Sequence, residues 1–396
     1  MRFGVFYEHQ LPRPWAPDAE HRLLRQSLDQ IELADRLGYD AAWEVEHHFL
    51  EEYSHSSAPE VFLAAASQRT RRIRLGHGIV QLPTNHPARV AERVSTLDLV
   101  SDGRVELGIG EGATPTELEP FGRKFGEKRA VFEDAVRALL PMFWKEVWEY
   151  HGPYFDFPAR NVIPKPLQKP HPPLWLACTQ LATLEAAGGW GLGALAFQFV
   201  SAEAARAWVH AYYNAYTKRL AKLTDYATNP QVAVVSGFMC AESDEEAMRR
   251  AEGWTFFQWS LLFYARARGE VAPGSVNLWE EYQRFLASPA GRELKRSTGL
   301  IGSPGTLRRK LRKFEASHVD QVILLHQAGK NTHEHICESL ELFAREVMPE
   351  FQERHGEHER WKRDVLAGEL RLEELETAPH DPPVVRTPVG ELRVRR

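Results

Sequence analysis

Apolar segments of strand length alternate with amphipathic helical segments four times within about the first 110 residues of this chain of 396 residues. The first helix, predicted over 19–37, has apolar residues at helical spacing and ends at Gly38. This alternation is typical of parallel β/α architecture. The first four strands are predicted at 2–7, 40–45, 73–82 and 104–109.

Further strands bring the predicted total to eight, with helices between them. That number favours a (β/α)8 TIM barrel with insertions. A doubly wound open sheet is the alternative, but it favours a glycine-rich turn after the first strand, and residues 8–17 contain no glycine. We expect a barrel domain over 1–350 and a charged C-terminal extension over 351–396, partly helical or disordered. The later strands are predicted at 174–178, 194–199, 232–240 and 319–325.

Composition narrows the class of protein. A formal net charge of −5 argues against a dedicated nucleic-acid binder. The three cysteines are odd in number and far apart, so no disulfide framework is expected. No apolar run approaches the ~20 residues of a membrane span, and the N-terminus does not resemble a secretory signal. We therefore predict a cytoplasmic protein with no membrane or nucleic-acid partner.

Two adjacent histidines, His47 and His48, follow the second predicted strand. In a (β/α)8 barrel, the segments after the strands form the catalytic face. Because histidine exchanges protons near neutral pH, His47 is the candidate catalytic residue, and a packing role is the alternative. Glu44 or Glu46 is expected to fix its tautomer. No metal site is predicted, because adjacent residues rarely converge on one ion and no third ligand follows a recognisable pattern.

Five short motifs occur in order along the chain, at 1–4, 38–49, 79–87, 97–110 and 301–304. They include Glu-His-His-Phe at 46–49 and Ser-Asp-Gly-Arg at 101–104. In this order they resemble the luciferase-like flavin monooxygenase superfamily, the family of bacterial luciferase. The resemblance covers roughly residues 1–350 and implies a (β/α)8 barrel that uses reduced flavin mononucleotide (FMN) and molecular oxygen. A separate reductase usually supplies the reduced flavin, and a related branch uses the deazaflavin F420 without activating oxygen.

The resemblance also implies which residues contact the flavin. It makes His47 a general acid/base beside the reactive edge of the flavin, and it includes Phe6 of the first strand among the flavin-binding residues. It places the flavin ring against the third strand at Gly78 and Ile79, where a non-proline cis peptide can occur. A barrel bulge is the alternative explanation for a glycine in this strand.

Two further segments belong to the expected flavin site. Gly110 leaves room for flavin or substrate after the fourth strand, and Glu111 stands where luciferase has an arginine. Thr179 and Thr183 lie at a predicted helix N-terminus, where backbone N–H groups and hydroxyls form an anion site. The resemblance places the flavin phosphate there, and an ordinary helix cap is the alternative.

These expectations define one function and two alternatives. The predicted protein is an FMN-dependent, two-component monooxygenase that oxygenates a small, largely apolar organic substrate with O2, with His47 in proton transfer. By resemblance it is a homodimer, with the helices after strands two and three at the interface. An F420-dependent hydride-transfer enzyme on the same barrel and a non-catalytic flavin-binding relative are the alternatives.

Overall fold

The computed structural model describes residues 1–197, 202–218, 221–267, 272–294, 299–375, 385–387 and 390–392. Its strands are β1 (Arg2–Tyr7), β2 (Ala41–Glu44), β3 (Arg74–Gln81), β4 (Val105–Gly110), β5 (Trp148–His151), β6 (Asp156–Arg160), β7 (Leu174–Cys178), β8 (Gly193–Ala196), β9 (Val232–Cys240), β10 (Leu300–Gly302), β11 (Gln321–Gln327), β12 (Val385–Thr387) and β13 (Gly390–Leu392). Its helices are α1 (Ala19–Leu37), α2 (Pro59–Arg69), α3 (Pro87–Val100), α4 (Pro115–Leu118), α5 (Lys128–Leu139), α6 (Leu181–Trp190), α7 (Ala202–Lys218), α8 (Asp244–Arg250), α9 (Glu252–Ala267), α10 (Leu278–Leu286), α11 (Pro289–Leu294), α12 (Pro304–Ala316), α13 (His333–Glu346), α14 (Met348–Glu353) and α15 (His355–Leu366).

Eight parallel strands close into the predicted (β/α)8 barrel. Their order around the barrel is β1-β2-β3-β4-β7-β8-β9-β11, and β11 pairs with β1 to complete the circle. Along β1 the side chains alternate, as in any strand. Phe6 belongs to the apolar cluster inside the barrel, whereas Val5 and Tyr7 belong to the cluster between the strands and the helices. The fold prediction is confirmed.

Two tryptophans fill the interior of the barrel below the carboxyl ends of the strands. Trp43 of β2 and Trp175 of β7 pack edge to face, with ring centroids 5.4 Å apart. Gly76 of β3 leaves the room that this arrangement needs, because a Cβ there would lie 2.2 Å from a ring carbon of Trp43. The interior is therefore a packed core rather than a channel.

Most of the predicted strand bounds match the structure. The bounds of β1, β7 and β9 are those predicted, and β2, β3, β4 and β11 shift by one or two residues at their ends. β8 ends at Ala196, and the predicted end at Phe199 lies outside the described residues. Residues 148–160, where no strand is predicted, form β5 and β6, which pair as an antiparallel hairpin. This hairpin lies on the surface: exposure alternates along β5, and most side chains of β6 are exposed, so its sequence has no continuous apolar run.

The C-terminal extension begins with two helices that pack at the amino end of the barrel. The helix α15, from His355 to Leu366, agrees with the expectation that the extension is partly helical. Lys362 Nζ and His358 Nε2 lie 2.8 and 2.9 Å from Oδ1 of buried Asp320. The second oxygen of Asp320 accepts the Tyr213 hydroxyl at 2.8 Å and the backbone N–H of Val232 at 2.7 Å. This carboxylate thus joins the extension to α7, β9 and β11.

Two observations bear on the chemical environment of the chain. Within the described ranges, no helix combines the length and the apolar character that crossing a bilayer requires. All three cysteines are free thiols, of which Cys178 and Cys240 are buried and Cys337 is half-buried.

Candidate active site

Side chains from four neighbouring strands meet at the carboxyl end of the barrel. Glu8 directly follows β1, and His47 lies in the loop after β2. Gln81 is the last residue of β3, and Glu117 lies in α4, which follows β4. Because these four strands are hydrogen-bonded in sequence order, their exits lie side by side. His47 is therefore on the face where barrel enzymes carry their active sites.

His47 lies between two buried carboxylates. Its Nδ1 is 2.7 Å from Glu117 Oε1, and its Nε2 is 3.1 Å from Glu8 Oε1. The Glu8 and Glu117 side chains are 2% and 0% exposed, whereas 15% of the His47 side chain is exposed. The Nδ1 contact is a hydrogen bond, but Glu8 Oε1 has no hydrogen-bond partner among the described residues despite its distance from Nε2. The Glu117 contact is therefore a hydrogen bond, whereas the Glu8 contact is a close approach without one.

Glu117 is held by two further donors. Gln81 donates a side-chain N–H to Glu117 Oε1 at 2.8 Å, and Thr114 donates its hydroxyl to Oε2 at 3.0 Å. Burial alone would raise the pKa of Glu117, but the His47 charge and these hydrogen bonds bring that pKa below its usual range. Glu117 is therefore an ionised carboxylate that orients the imidazole ring.

The pKa of Glu8 shifts in the opposite direction from that of Glu117. Burial raises the pKa of Glu8, and the His47 charge offsets this only in part. For His47, burial alone would lower the pKa, but the charges of Glu117 and Glu8 outweigh it and hold that pKa well above its usual range. The Tyr53 ring is edge-on to His47 at 5.4 Å between centroids, and burial beside the two carboxylates keeps its pKa far above that of an ordinary phenol. The two carboxylates thus favour the imidazolium form of His47, and burial keeps Tyr53 a neutral phenol.

The predicted carboxylate partners of His47 are wrong. Glu44 Oε1 instead lies 2.8 Å from Nδ1 of the buried His9. Glu46 Oε1 is 3.0 Å from Nε2 of His48. Successive side chains of an extended segment point to opposite sides, so neighbours in sequence are poorly placed to pair with His47. Its actual partners, Glu8 and Glu117, come from the exits of β1 and β4.

Exposed aromatic side chains stand beside the two histidines. Phe49 is 56% exposed and Phe121 is 43% exposed, and their ring centroids are 5.6 Å apart. His48 is edge-on to Phe121 at 4.9 Å. Phe49 has a φ of 64°, in the left-handed region that costs a residue with a Cβ about 1–2 kcal/mol. The mouth of the barrel thus presents an apolar surface next to His48, which follows His47 in the chain.

One carboxylate joins the loop after β2 to the insertion that contains α10. Glu52 accepts the backbone N–H groups of Leu278 and Trp279, at 2.6 and 3.0 Å, in the first turn of α10. It also accepts the backbone N–H of Arg13 at 2.8 Å. A carboxylate at a helix N-terminus satisfies free N–H groups and complements the helix dipole. The loop that carries His47 is therefore tied to two other segments of the mouth.

Four of the residues predicted to bind flavin lie along one edge of the mouth. Gly78 and Ile79 lie in β3, Gly110 ends β4, and Thr179 follows β7. Because these three strands are consecutive in the sheet, the residues form a row that starts next to the β2 exit and His47. Ile79 is half-buried and Thr179 is exposed, so part of this edge is accessible.

The other predicted flavin residues contact protein atoms. Phe6 is buried inside the barrel, with its ring 5.6 Å from that of Phe197. Glu111 Oε1 accepts a hydrogen bond from Arg129 at 2.7 Å. The Thr183 hydroxyl donates to the carbonyl oxygen of the residue three positions before it, at 2.7 Å. Thr183 therefore takes part in capping α6, which was the alternative expected for it.

The third strand contains a bulge. The register between β3 and β4 shifts between His77 and Val80, which places Gly78 and Ile79 in the irregular segment. Gly108 lets β4 approach this bulge, because a Cβ there would lie 2.3 Å from the carbonyl oxygen of His77. The non-proline cis peptide implied by the resemblance is not observed. The cis bonds in the described parts of the chain all precede proline, at 14, 164 and 170.

Sequence reasoning missed Glu8, Gln81 and Glu117. Glu8 had a usable signal, because an acidic residue directly after a buried first strand lies on the catalytic face of a barrel. The signal for Glu117 was ambiguous, since Thr-Pro-Thr-Glu at 114–117 has the spacing of a helix capping box. In the structure this carboxylate turns toward His47.

A (β/α)8 barrel with an ion-paired histidine at the carboxyl ends of its strands defines a protein with an enzyme-type site. The family model described as luciferase-like monooxygenase matches residues 1–321. This chain belongs to that family, as its five motifs predicted.

Curated relatives include characterised monooxygenases. The oxygenase component of flavin-dependent trigonelline monooxygenase from Acinetobacter baylyi is 26% identical over 361 residues, covering 89% of this chain and 96% of that protein. Two uncharacterized proteins of Sinorhizobium fredii are 33% and 38% identical, but the aligned segments span only 46% and 50% of their length.

Solved structures share the fold. Monooxygenase RslO1 from Streptomyces bottropensis matches with a TM-score of 0.71 and 25% identity, covering 89% of this chain and 100% of that one. The oxygenating constituent of 3,6-diketocamphane monooxygenase from Pseudomonas putida, in complex with FMN, matches with a TM-score of 0.67 and 20% identity, covering 88% and 98%. An F420-dependent tetrahydromethanopterin reductase from Methanopyrus kandleri matches with a TM-score of 0.64 and 19% identity, covering 88% and 99%. At the two lower identities the similarity concerns the fold alone.

Proposed function

We propose that this protein is a monooxygenase that uses reduced FMN and O2 to oxygenate a small, largely apolar organic substrate. The observation that carries the proposal is His47, held between two buried carboxylates at the mouth of a luciferase-like barrel. The name of the trigonelline relative, a flavin-dependent oxygenase component, supports the use of a flavin and the oxygenation of a substrate.

The edge of the mouth along β3, β4 and β7 suits a molecule with a ring at one end and a phosphate at the other. From the β2 exit to the β7 exit there are three inter-strand spacings, about 14 Å in total. The bulge at Ile79 and the backbone at Gly110 would border the flavin ring. Thr179, exposed just before α6, would meet the phosphate, because the first N–H groups of a helix are available to an anion.

The residues around this edge have separate roles in the proposed reaction. Reduced FMN, when bound, supplies the two electrons with which one atom of O2 becomes water while the other enters the substrate. Glu117 holds the proton on Nδ1 of His47 and so fixes the ring. Nε2 is the nitrogen with the weaker contact, and it gives or takes the proton in the reaction. Phe49 and Phe121 bind the apolar substrate and exclude water from it.

We also propose a separate flavin reductase as partner, a homodimer and a cytoplasmic location. The phrase "oxygenase component" in the name of the relative supports the reductase. Exposed apolar side chains on α2 and α3 support a dimer through these helices, namely Val61, Leu99 and Val100. The three free thiols suit a reducing compartment.

The F420-dependent alternative uses the same histidine and the same barrel. A deazaflavin enzyme would transfer a hydride and would not consume oxygen. A non-catalytic flavin-binding relative would need neither a buried carboxylate pair nor a charged histidine at the mouth, so the geometry of the site favours an enzyme.

Anaerobic titration with reduced FMN, and separately with reduced F420, tests the proposal. We expect tight binding of reduced FMN and, on mixing with oxygenated buffer, a transient absorbance that precedes the oxidised flavin spectrum. Binding of F420 alone, with no oxygen-dependent transient, would assign the protein to the hydride-transfer branch. Binding of reduced FMN without an oxygen-dependent transient would favour the non-catalytic flavin-binding relative, and binding of neither cofactor would refute the proposal.

A further inference from the structure

Each ring nitrogen of His47 lies beside a buried carboxylate. Glu117 Oε1 is hydrogen-bonded to Nδ1, and Glu8 Oε1 lies 3.1 Å from Nε2. A proton can therefore pass between Nε2 and a reactant only if the Glu8 contact gives way or takes part. The Glu117 contact is the stronger of the two, because it is a hydrogen bond of 2.7 Å, whereas the 3.1 Å contact with Glu8 is not a hydrogen bond.

Glu8 is buried, and one of its carboxylate oxygens is an unsatisfied hydrogen-bond acceptor. Its side chain is 2% exposed, and Oε1 has no hydrogen-bond partner among the described residues. Such an acceptor is costly to bury, so its retention beside Nε2 calls for an explanation. No other described side-chain oxygen lies within ion-pair distance of this nitrogen.

We propose that Glu8 is a proton shuttle between His47 Nε2 and solvent, while Glu117 is the positioning residue that keeps the ring in place. The proposal rests on the monooxygenase function only for the identity of the final proton donor or acceptor. The exchange between Nε2 and Glu8 is a property of the protein itself and does not require flavin.

The steps conserve protons and involve no redox change. When Nε2–H protonates a reactant, the N–H bond breaks and the imidazolium becomes neutral imidazole. A solvent proton then binds the Glu8 carboxylate and passes to Nε2, which restores the imidazolium and leaves Glu8 ionised. When a reactant must lose a proton, the same steps run in reverse. Throughout, the Nδ1 proton stays on the imidazole ring and remains hydrogen-bonded to Glu117.

The surroundings of Glu8 suit this role. Because burial raises the pKa of Glu8 while the hydrogen-bonded Glu117 stays ionised, the two carboxylates differ in basicity, as in sites where acid and base roles are divided. A carboxylate whose basicity approaches that of imidazole exchanges protons with it more readily. The ionisable groups that face Glu8 are His47, Glu44, Glu117 and Tyr53.

NMR of 15N-histidine-labelled full-length protein tests the shuttle without any cofactor. The His47 signals are assigned from the spectrum of His47→Gln. In Glu8→Gln we expect the His47 pKa to fall by about one unit or more, because an opposite charge within 4–6 Å is lost. We also expect the Nε2 proton to exchange with water at least about tenfold more slowly, because the carboxylate that would take this proton is gone.

Two variants control for indirect effects. Glu106→Gln removes another buried carboxylate, which pairs with Arg74 and with Trp175 Nε1 near the amino end of the barrel, so it should leave both His47 readings unchanged. Glu8→Asp keeps the charge but shortens the side chain by ~1.5 Å, one C–C bond. It should leave the His47 pKa near the wild-type value and still slow the exchange. If Glu8→Gln does not fold, Glu8→Asp still tests the effect of Glu8 on the exchange rate.

Each outcome decides the proposal. An unchanged pKa in Glu8→Gln, or an exchange rate equal to wild type in both Glu8 variants, would overturn it. A second arm uses turnover with reduced FMN: formate should restore at least about a tenth of kcat to Glu8→Ala, and absence of rescue would mean that Glu8 only tunes His47. If reduced FMN supports no turnover even in wild type, the monooxygenase proposal fails, while the NMR result still decides the shuttle.

Discussion

The barrel carries a buried cluster of carboxylate and histidine at each end, and the two clusters differ in how fully the carboxylate is satisfied. At the amino end, Oδ1 of Asp320 contacts both Lys362 and His358, and its second oxygen has two more donors. At the carboxyl end, Glu8 lies next to His47 with an oxygen that no described donor satisfies. The two clusters contain similar residue types, but more hydrogen-bond donors contact the Asp320 carboxylate than the Glu8 carboxylate.

This difference separates a structural anchor from a reactive site. Burial alone would raise the pKa of Asp320, but Lys362 and His358 hold it far below its usual range, whereas burial raises the pKa of Glu8. Asp320, His358 and Glu359 also lie within 4.8 Å of one another, a spacing that suits a metal ion. Because the Lys362 ammonium is bound to the same oxygen as His358, this cluster is better explained as the anchor of the C-terminal helix.

Removing the histidine at the carboxyl end should have the largest effect. His47→Ala is expected to lower turnover by about 10²–10⁴-fold, the usual contribution of a positioned proton-transfer group. Flavin affinity should change by less than about threefold, because the proposed flavin edge lies on β3, β4 and β7. Stopped-flow turnover and anaerobic flavin titration measure the two. His358→Ala at the other end is the control and should keep kcat, and equal turnover in His47→Ala would remove that residue from the mechanism.

Breaking the anchor should reduce stability without affecting chemistry. Asp320→Asn leaves Lys362 buried without its counter-charge, which typically costs about 3–5 kcal/mol. The free energy of unfolding in urea should fall by that amount, while kcat per folded molecule stays within about twofold of wild type. A loss of kcat larger than the loss of folded protein would show that the two ends are coupled.

The two clusters should respond to opposite extremes of pH. The folded-state pKa of His47 is raised, so its contribution to stability is full below the ordinary imidazole pKa of ~6.5 and is lost as the pH rises through the raised value. The pKa of Asp320 is depressed, so its contribution is present above the ordinary value of ~3.9 and is lost as the pH falls below it. The urea midpoint of unfolding should therefore depend less on pH on the alkaline side in His47→Gln than in wild type. In Asp320→Asn it should depend less on pH on the acid side. The reverse assignment would contradict the comparison.

The smallest expected effect concerns the strained aromatic residue beside His47. Phe49→Gly relieves the positive φ, whereas Phe49→Ala removes the same ring but keeps a Cβ. In thermal unfolding, the free energy of unfolding of the glycine variant should exceed that of the alanine variant by about 1 kcal/mol. Both variants should raise KM for an apolar substrate to a similar extent, since both lose the ring. A KM that stays at the wild-type value would exclude Phe49 from substrate binding.

The sequence was sufficient for the barrel because each strand and helix has its own local pattern. Gly38 ends α1, and the run of β9, apolar apart from Ser236, gave its bounds directly. The hairpin of β5 and β6 escaped detection because its strands are half exposed. The site was predictable only as far as His47. Its partners come from two other strand exits, those of β1 and β4, and a linear pattern does not contain the side-by-side arrangement that brings Glu8 and Glu117 to one imidazole.

The carboxylate of Glu52 has a consequence for how this family can diversify. It receives backbone N–H groups from two separate segments, the one after β1 and the start of α10. Backbone groups are present whatever the side chains are, so the residues of α10 can vary while the link remains. Grafting the insertion from a relative should therefore succeed when the graft begins with a helix start at the same place. A graft that shifts this start would remove two of the N–H groups that buried Glu52 accepts and would distort the loop that carries His47.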